Sequence, residues 1–153
     1  MAQEENTDML ELARSIAFEA HKGQQDKAGK DYVLHPIRVA EKLKNYASEV
    51  QIVAYLHDTI EDTFVTPEFL KEKGFNDEIV EAVLSVTRKE GESYMEFIHR
   101  CAENPIGCIV KTEDLKDNMD ITRLNKITDE DVQRLRKYHK AYKYLTKNEK
   151  NII

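Results

Sequence analysis

VQIVAYLHDTIED, residues 50–62, joins an apolar run to four ionisable side chains within its last six positions. Val50, Val53, Ala54, Leu56 and Ile60 recur as the apolar positions of a helix over about 49–61. His57 and Asp58 are neighbours, about 100° apart on such a helix, so both can reach one ion beside it. His57 and Glu61 share a face at i, i+4, and so do Asp58 and Asp62. Three carboxylates therefore crowd an otherwise apolar element. Burying such charges without a partner is expensive, and a divalent cation is an efficient partner.

Outward from this segment the chain reads as about seven helices. Leu12, Ala13, Ile16, Ala17 and Ala20 line one face over 8–22, and residues 23–34 form a polar, glycine-bearing loop. The next helix is expected near Pro36, with Ile37, Val39, Ala40 and Leu43 inward. Thr66-Pro67 supplies a hydroxyl cap followed by proline, and Asn76 caps a helix carrying Ile79, Val80, Val83, Leu84 and Val86. Further helices are expected over 93–103 and about 105–119, although Gly107-Cys-Ile-Val110 is ambiguous alone. Thr128, followed by Asp129, Glu130 and Asp131, opens a last helix to about 147, striped by Val132, Leu135, Tyr142 and Leu145. The reading is an all-α single domain over 1–153. Its motif-bearing core covers about 8–124, and a basic helix covers about 129–147.

Composition agrees. At 153 residues, two cores would have to share about 75 residues each, near the lower limit for independent domains. Apolar residues make up 41% of the chain, enough for one core. The 23 basic and 29 acidic residues give a net charge of -6, which weighs against non-specific nucleic-acid binding. Two cysteines, Cys101 and Cys108, cannot build a disulfide framework or a four-cysteine zinc site, and buried thiols are expected. No apolar run reaches the ~18 residues of a membrane span. Met1 to Asp8 are polar and acidic, unlike a signal peptide. The expectation is a cytoplasmic protein with reduced thiols.

Two further places can complete a metal site. His35 stands at the mouth of the second helix, and Asp114 lies on the 105–119 helix with Asn118 four residues on. His35, His57, Asp58 and Asp114 would supply two imidazoles and two carboxylates from three helices. That mixture suits Mn2+, Fe2+ or Zn2+, and two anionic aspartates balance a dication. A divalent ion there makes hydroxide available near pH 7. Glu61 or Asp62 can orient water or pass its proton.

These segments resemble the HD superfamily of metal-dependent phosphohydrolases, and within it the hydrolase domain of RelA/SpoT-type proteins and the small alarmone hydrolases. The resemblance is carried by Ala20-His-Lys-Gly-Gln24, Lys27-Ala-Gly29, Tyr32-Val-Leu-His-Pro36, Ala54 to Thr63 and Val110 to Leu124, in family order. It implies an all-α fold, with Mn2+ bound by His35, His57, Asp58 and Asp114. It implies that Glu61 and Asp62 act beside the activated water, and that Lys27 and Asn118 contact substrate. The implied reaction removes pyrophosphate from the ribose 3′ position of (p)ppGpp, leaving GDP or GTP. Asp26 stands where relatives often carry Arg, and Asp117 where they commonly carry His.

The expected partner is thus a small phosphorylated substrate, a nucleotide, with neither a membrane nor a nucleic acid. The basic last helix, with Tyr138, Tyr142 and Tyr144 interleaved, reads first as a solvated face. Its alternative is the wall of an anionic substrate channel. The chain offers no room for the synthetase activity of the longer bifunctional relatives. Other readings of the motif set are an HD phosphohydrolase acting on another nucleotide or phosphate ester, or a metal- or nucleotide-binding sensor without turnover.

Overall fold

The computed structural model describes residues 2–150, with side chains from 7 to 147. The opening residues Met1 to Asn6 and the tail beyond Lys147 lie outside the described side chains. The elements are α1 (Ala2–Ala20), α2 (Leu34–Lys42), α3 (Ser48–Leu56), α4 (Thr59–Asp62), α5 (Pro67–Glu72), α6 (Asp77–Ser85), α7 (Tyr94–Glu103), α8 (Pro105–Asn118) and α9 (Asp129–Lys150). A short 3-10 turn covers Ile121–Arg123. Among the described residues the only β pairing is an isolated bridge between Gln25 and Asp31, so the all-α expectation holds.

Local chemistry starts most of these helices. Thr66 accepts from the Phe69 N–H, and Asn76 from the Ile79 N–H. Ser93 and Asn104 cap α7 and α8 in the same way, and Pro105 follows its cap. At α9, Thr128 and Asp131 exchange side-chain-to-backbone hydrogen bonds, an aspartate version of the capping box. The ambiguous Gly107–Val110 stretch is helical. α2 begins two residues earlier than Pro36, at Leu34.

The expected single helix over 49–61 is divided. The His57 ring donates from Nδ1 to the Ala54 carbonyl at 2.6 Å, and the Thr59 hydroxyl donates to the Leu56 carbonyl at 2.7 Å. Both carbonyls would otherwise take the next helical N–H groups. The backbone turns at Asp58, with φ −103° and ψ −1°, and α4 restarts beyond it. The shared face expected for His57 and Glu61 is therefore split between two helices.

α3 is the central rod. It buries Val50, Ile52, Val53, Ala54, Tyr55 and Leu56, more than one face, as befits a helix packed against α1, α2, α6 and α8. α8 sits between two apolar clusters. Val110 joins the cluster of α1, α2, α3 and α6, while Cys108 and Leu115 join Phe97, Ile98, Cys101, Ala141 and Leu145 of α7 and α9. Both cysteines are buried thiols, as expected. Val132, read as part of the α9 stripe, is instead 37% exposed, because Ala141 and Leu145 hold that helix by its later turns.

α6 and α8 meet at Gly107, where an added Cβ would stand 2.1 Å from the Ser85 hydroxyl oxygen. Gly107→Ala is expected to lower stability by about 1–3 kcal/mol in urea unfolding, despite alanine's better helix propensity. In a Ser85→Ala background most of that loss should disappear. A double variant that unfolds as early as the single one would show that this contact is not the cause.

Candidate metal centre

His35 from α2, His57 and Asp58 from the α3–α4 break, and Asp114 from α8 converge where these helices cross. One ligand atom from each of His35, His57 and Asp58 lies within 4.8 Å of the others. Asp114 Oδ1 stands 2.8 Å from His35 Nε2 and 3.4 Å from His57 Nε2. The two Nε2 atoms face each other at 3.3 Å. Asp58 Oδ2 is 3.1 Å from His57 Nε2 and 3.7 Å from His35 Nε2.

The hydrogen bonds place a proton on the outer nitrogen of each ring. A backbone carbonyl only accepts, so His57 carries a proton on Nδ1, toward Ala54. His35 donates from Nδ1 to Asp117 Oδ2 at 2.6 Å. Both Nε2 atoms are turned inward beside two carboxylates, and His35 Nε2 meets Asp114 Oδ1 at 2.8 Å. Such a set of electron-pair donors requires positive charge at its centre, from imidazolium protons or a dication. Burial opposes charging of His57, but the Asp58 and Asp114 carboxylates raise its pKa well above the ordinary value. His35 is raised against the same opposition by its bonds to Asp114 and Asp117. Two imidazoles and two carboxylates, already oriented, fit a divalent first-row metal.

The surroundings hold these donors in place. Tyr32 donates its hydroxyl to Asp58 Oδ2 at 2.5 Å, and burial followed by the Asp58 charge pushes the phenol pKa up. Lys111, buried beneath the centre, bonds Asp114 Oδ2 at 2.8 Å and lies 5.0 Å over the Phe97 ring. Burial would discharge this lysine, but Asp114 outweighs burial and keeps it charged. In return Lys111, then His57, holds Asp114 well below the usual carboxylate range against its burial. Asn118 donates to Asp114 Oδ1 at 3.0 Å, as their one-turn spacing allows. His21 is buried against Tyr32, with ring centroids 5.0 Å apart, and its Nδ1 meets Gln24 Oε1 at 2.8 Å. Gln24 then bonds the Asp62 carbonyl, tying the 21–25 turn to α4.

Glu61 and Asp62 both lie exposed on α4, but in different situations. Glu61 accepts the Arg88 backbone N–H at 2.8 Å. Asp62 is pushed up to about 6, first by burial of its carboxyl and then by the Asp58 and Glu61 charges.

Beside the centre opens a cleft of about 380 Å³, within the size range of small-molecule sites. Tyr32, His35 and Asn118 lie along it, and Lys27, Arg38, Arg123 and Arg134 add cations. Leu135 and Tyr138 of α9 form part of its wall, so the basic helix serves as more than a solvated face. Lys27 reaches from the rim to within 3.9 Å of Asp131, which also pairs with Arg134. Asp26 lines the same cleft with its carboxylate turned onto the Ala28 and Lys30 N–H groups, closing the 26–30 loop.

Sequence reasoning did not assign roles to Tyr32, Lys111, Asp117, Arg38, Arg123 or Arg134. A usable signal existed for some of them. His35 and Arg38 are one turn apart on α2, and Asp114 and Asp117 are one turn apart on α8. The two pairs face each other.

Comparison with known proteins identifies the family. A family model described as HD domain matches residues 13–141. A guanosine-3′,5′-bis(diphosphate) 3′-pyrophosphohydrolase of Aquifex aeolicus is 34% identical over 125 residues, 75% of this chain and 18% of that protein. A GTP pyrophosphokinase of Myxococcus xanthus is 33% identical over 128 residues, 73% of this chain and 17% of that protein. The chain thus spans less than a fifth of these relatives. A solved metazoan ortholog of SpoT, which hydrolyzes ppGpp, superimposes with a TM-score of 0.72 at 24% identity, covering 88% of this chain and 83% of that one. With the family model spanning α2 to α8 and much of α9, and with the same helical fold, the chain belongs to the HD-domain family.

Proposed function

We propose that this chain is a Mn2+-dependent phosphohydrolase that removes pyrophosphate from the 3′ position of guanosine alarmones, giving GDP from ppGpp. The observation that carries the reading is the convergence of His35, His57 and Asp58, with Asp114 Oδ1 beside both imidazoles, next to a cation-bearing cleft. The pyrophosphohydrolase named among the relatives supports the substrate. His35, His57, Asp58 and Asp114 would hold the metal. When bound, the dication lowers the pKa of water and draws charge from phosphate.

The protein's own groups divide the remaining work. Asp62, with a pKa pushed up to about 6, is mostly ionised at pH 7 and basic enough to take a proton from the attacking water. Glu61 anchors α4 to the loop that follows α6 through the Arg88 N–H. Lys27, at the rim, can swing from Asp131 to a phosphate oxygen. Asn118 steadies Asp114 and presents the rest of its amide to the cleft. The domain acts as one unit, with α9 closing the substrate side. A nucleotide substrate of this kind also fits a cytoplasmic setting.

The test is hydrolysis of ppGpp with Mn2+ and with chelator, following GDP and pyrophosphate. Metal-dependent release of both is expected. A protein that binds Mn2+ but leaves ppGpp intact would remove the alarmone assignment. Asp26 on the cleft wall, where an arginine could have stacked on a purine, favours another nucleotide as the second reading. A panel of phosphorylated nucleosides separates the two.

A further inference from the structure

Asp117 is the buried group this reading has not used. It is 1% exposed and sits one helical turn beyond Asp114 on α8. Its Oδ2 accepts the His35 Nδ1–H at 2.6 Å. Arg38 grips the same carboxylate from the other side, with Nε on Oδ1 at 2.9 Å and Nη2 on Oδ2 at 3.0 Å. Arg123 donates to the Asp117 carbonyl at 2.7 Å and approaches Oδ2 at 3.4 Å. His35 and Arg38 on α2 thus meet Asp114 and Asp117 on α8, turn against turn. His35 is held at both ring nitrogens by carboxylates from one helix.

We propose that Asp117 is a positioning residue that locks His35 with its proton on Nδ1 and its Nε2 lone pair aimed at the metal, while Arg38 and Arg123 keep Asp117 itself out of the metal's reach. The inference rests on the metal reading above. Its chemistry is specific. An imidazole free to rotate or change tautomer presents a proton to the ion about as readily as a lone pair, and a carboxylate on the outer nitrogen removes that choice. The two arginines compensate a charge that burial would otherwise make costly, so the carboxylate stays ionised as an acceptor. A histidine at this position could not take both guanidinium bonds.

Three proteins test this: the wild type, Asp117→Asn and Asp117→Ala, each checked for folding by its thermal melt. Mn2+ affinity is read by titration of the free ion. Asp117→Ala is expected to bind Mn2+ about 10–100-fold more weakly. Asp117→Asn keeps an oxygen for the Nδ1–H and should recover most of that loss, because His35 needs an acceptor there and not the negative charge. Long-range 15N–1H spectra of the Zn2+-loaded wild type should show His35 protonated at Nδ1 alone. A folded Asp117→Ala protein with wild-type affinity, or a proton on Nε2 in the loaded wild type, overturns the proposal. If Asp117→Ala does not fold, the wild-type spectrum and Asp117→Asn still decide. Wild-type protein that binds no dication brings down the metal reading, and this proposal with it, whereas unchanged binding in the variant brings down this proposal alone.

Discussion

Asp58→Ala is expected to lose Mn2+ binding and pyrophosphate release together while remaining folded. Asp58 sits at the break between α3 and α4 without a side-chain capping bond, and its side chain is 15% exposed. Its Oδ2 is the atom that faces both imidazoles. Removing it takes away one of two anionic donors, so the remaining set balances only half the charge of a dication. The loss of affinity should exceed the ~100-fold upper range seen when outer contacts of a metal site are changed. The structural penalty is small by comparison. Tyr32 loses the acceptor of its hydroxyl, a change of about 1–3 kcal/mol in a buried setting, and cleft water can replace part of it. Asp114→Ala is a poorer probe because it strands buried Lys111 without its counter-charge. Breaking a buried pair of that kind costs about 3–5 kcal/mol, so lost activity could reflect lost folding. Mn2+ titration, circular dichroism and pyrophosphate release on the same Asp58→Ala sample separate the effects. Full activity in that variant would sink the metal assignment.

Asp62→Asn should leave Mn2+ binding close to wild type and lower kcat by about 10²–10⁴-fold, the usual contribution of a positioned acid–base group. The pH profile carries the sharper signature. Asp62 accepts a proton only as the carboxylate, and its pKa in the metal-free protein is pushed up to about 6 by burial, Asp58 and Glu61. Wild-type kcat should therefore rise with pH and level off near or below pH 6, since a bound dication pulls the pKa down. The Asn variant should lack that limb. Stability moves in the opposite sense. A raised carboxyl pKa means that the folded, metal-free protein holds a proton the unfolded chain has released, so stability falls as pH climbs from about 4 to 6. Asp62→Asn should be the more stable protein above pH 6, measured by urea unfolding with chelator. Glu61→Gln is the control. Its amide oxygen can still accept the Arg88 N–H, so a loss of less than about tenfold is expected. A severe Glu61→Gln defect beside a mild Asp62→Asn one would exchange the two roles.

The cleft adds a condition on substrate binding. Its cations are already paired: Arg38 and Arg123 with Asp117, Lys27 and Arg134 with Asp131. An anionic substrate must draw them partly away from those carboxylates. Exposed pairs such as Lys27 with Asp131 are weak and readily exchanged, whereas the Asp117 cluster is buried. Lys27, with its side chain 56% exposed, is accordingly the cation that the proposed reaction would move to a phosphate most easily, and Arg38 is structural.

Much of this molecule was legible in one dimension, wherever the deciding interactions are local. Thr66, Asn76 and Thr128 start helices through bonds to N–H groups three residues away, and the chain carries that information wherever it lies in space. His57 and Asp58 are adjacent, so their pairing is visible in the chain itself. His35 and Asp114 were found through motif order, and the structure brings them to the same point. What the sequence left open depends on packing between distant turns. The His35–Asp117 bond spans 82 residues and the Arg38–Asp117 pair 79, so no period along the chain reports them. The difference between Glu61 and Asp62 appears only when the Arg88 N–H arrives from 27 residues away. The break at Asp58 follows from side chains competing for carbonyls, which apolar periodicity does not register. The sequence by itself determined the helices and the chemical types of the centre, because capping bonds and ligand identity are local properties. The tertiary structure alone decided which carboxylate meets His35, which accepts the Arg88 N–H and which has its pKa pushed up, because burial and neighbouring charge are properties of the packed chain.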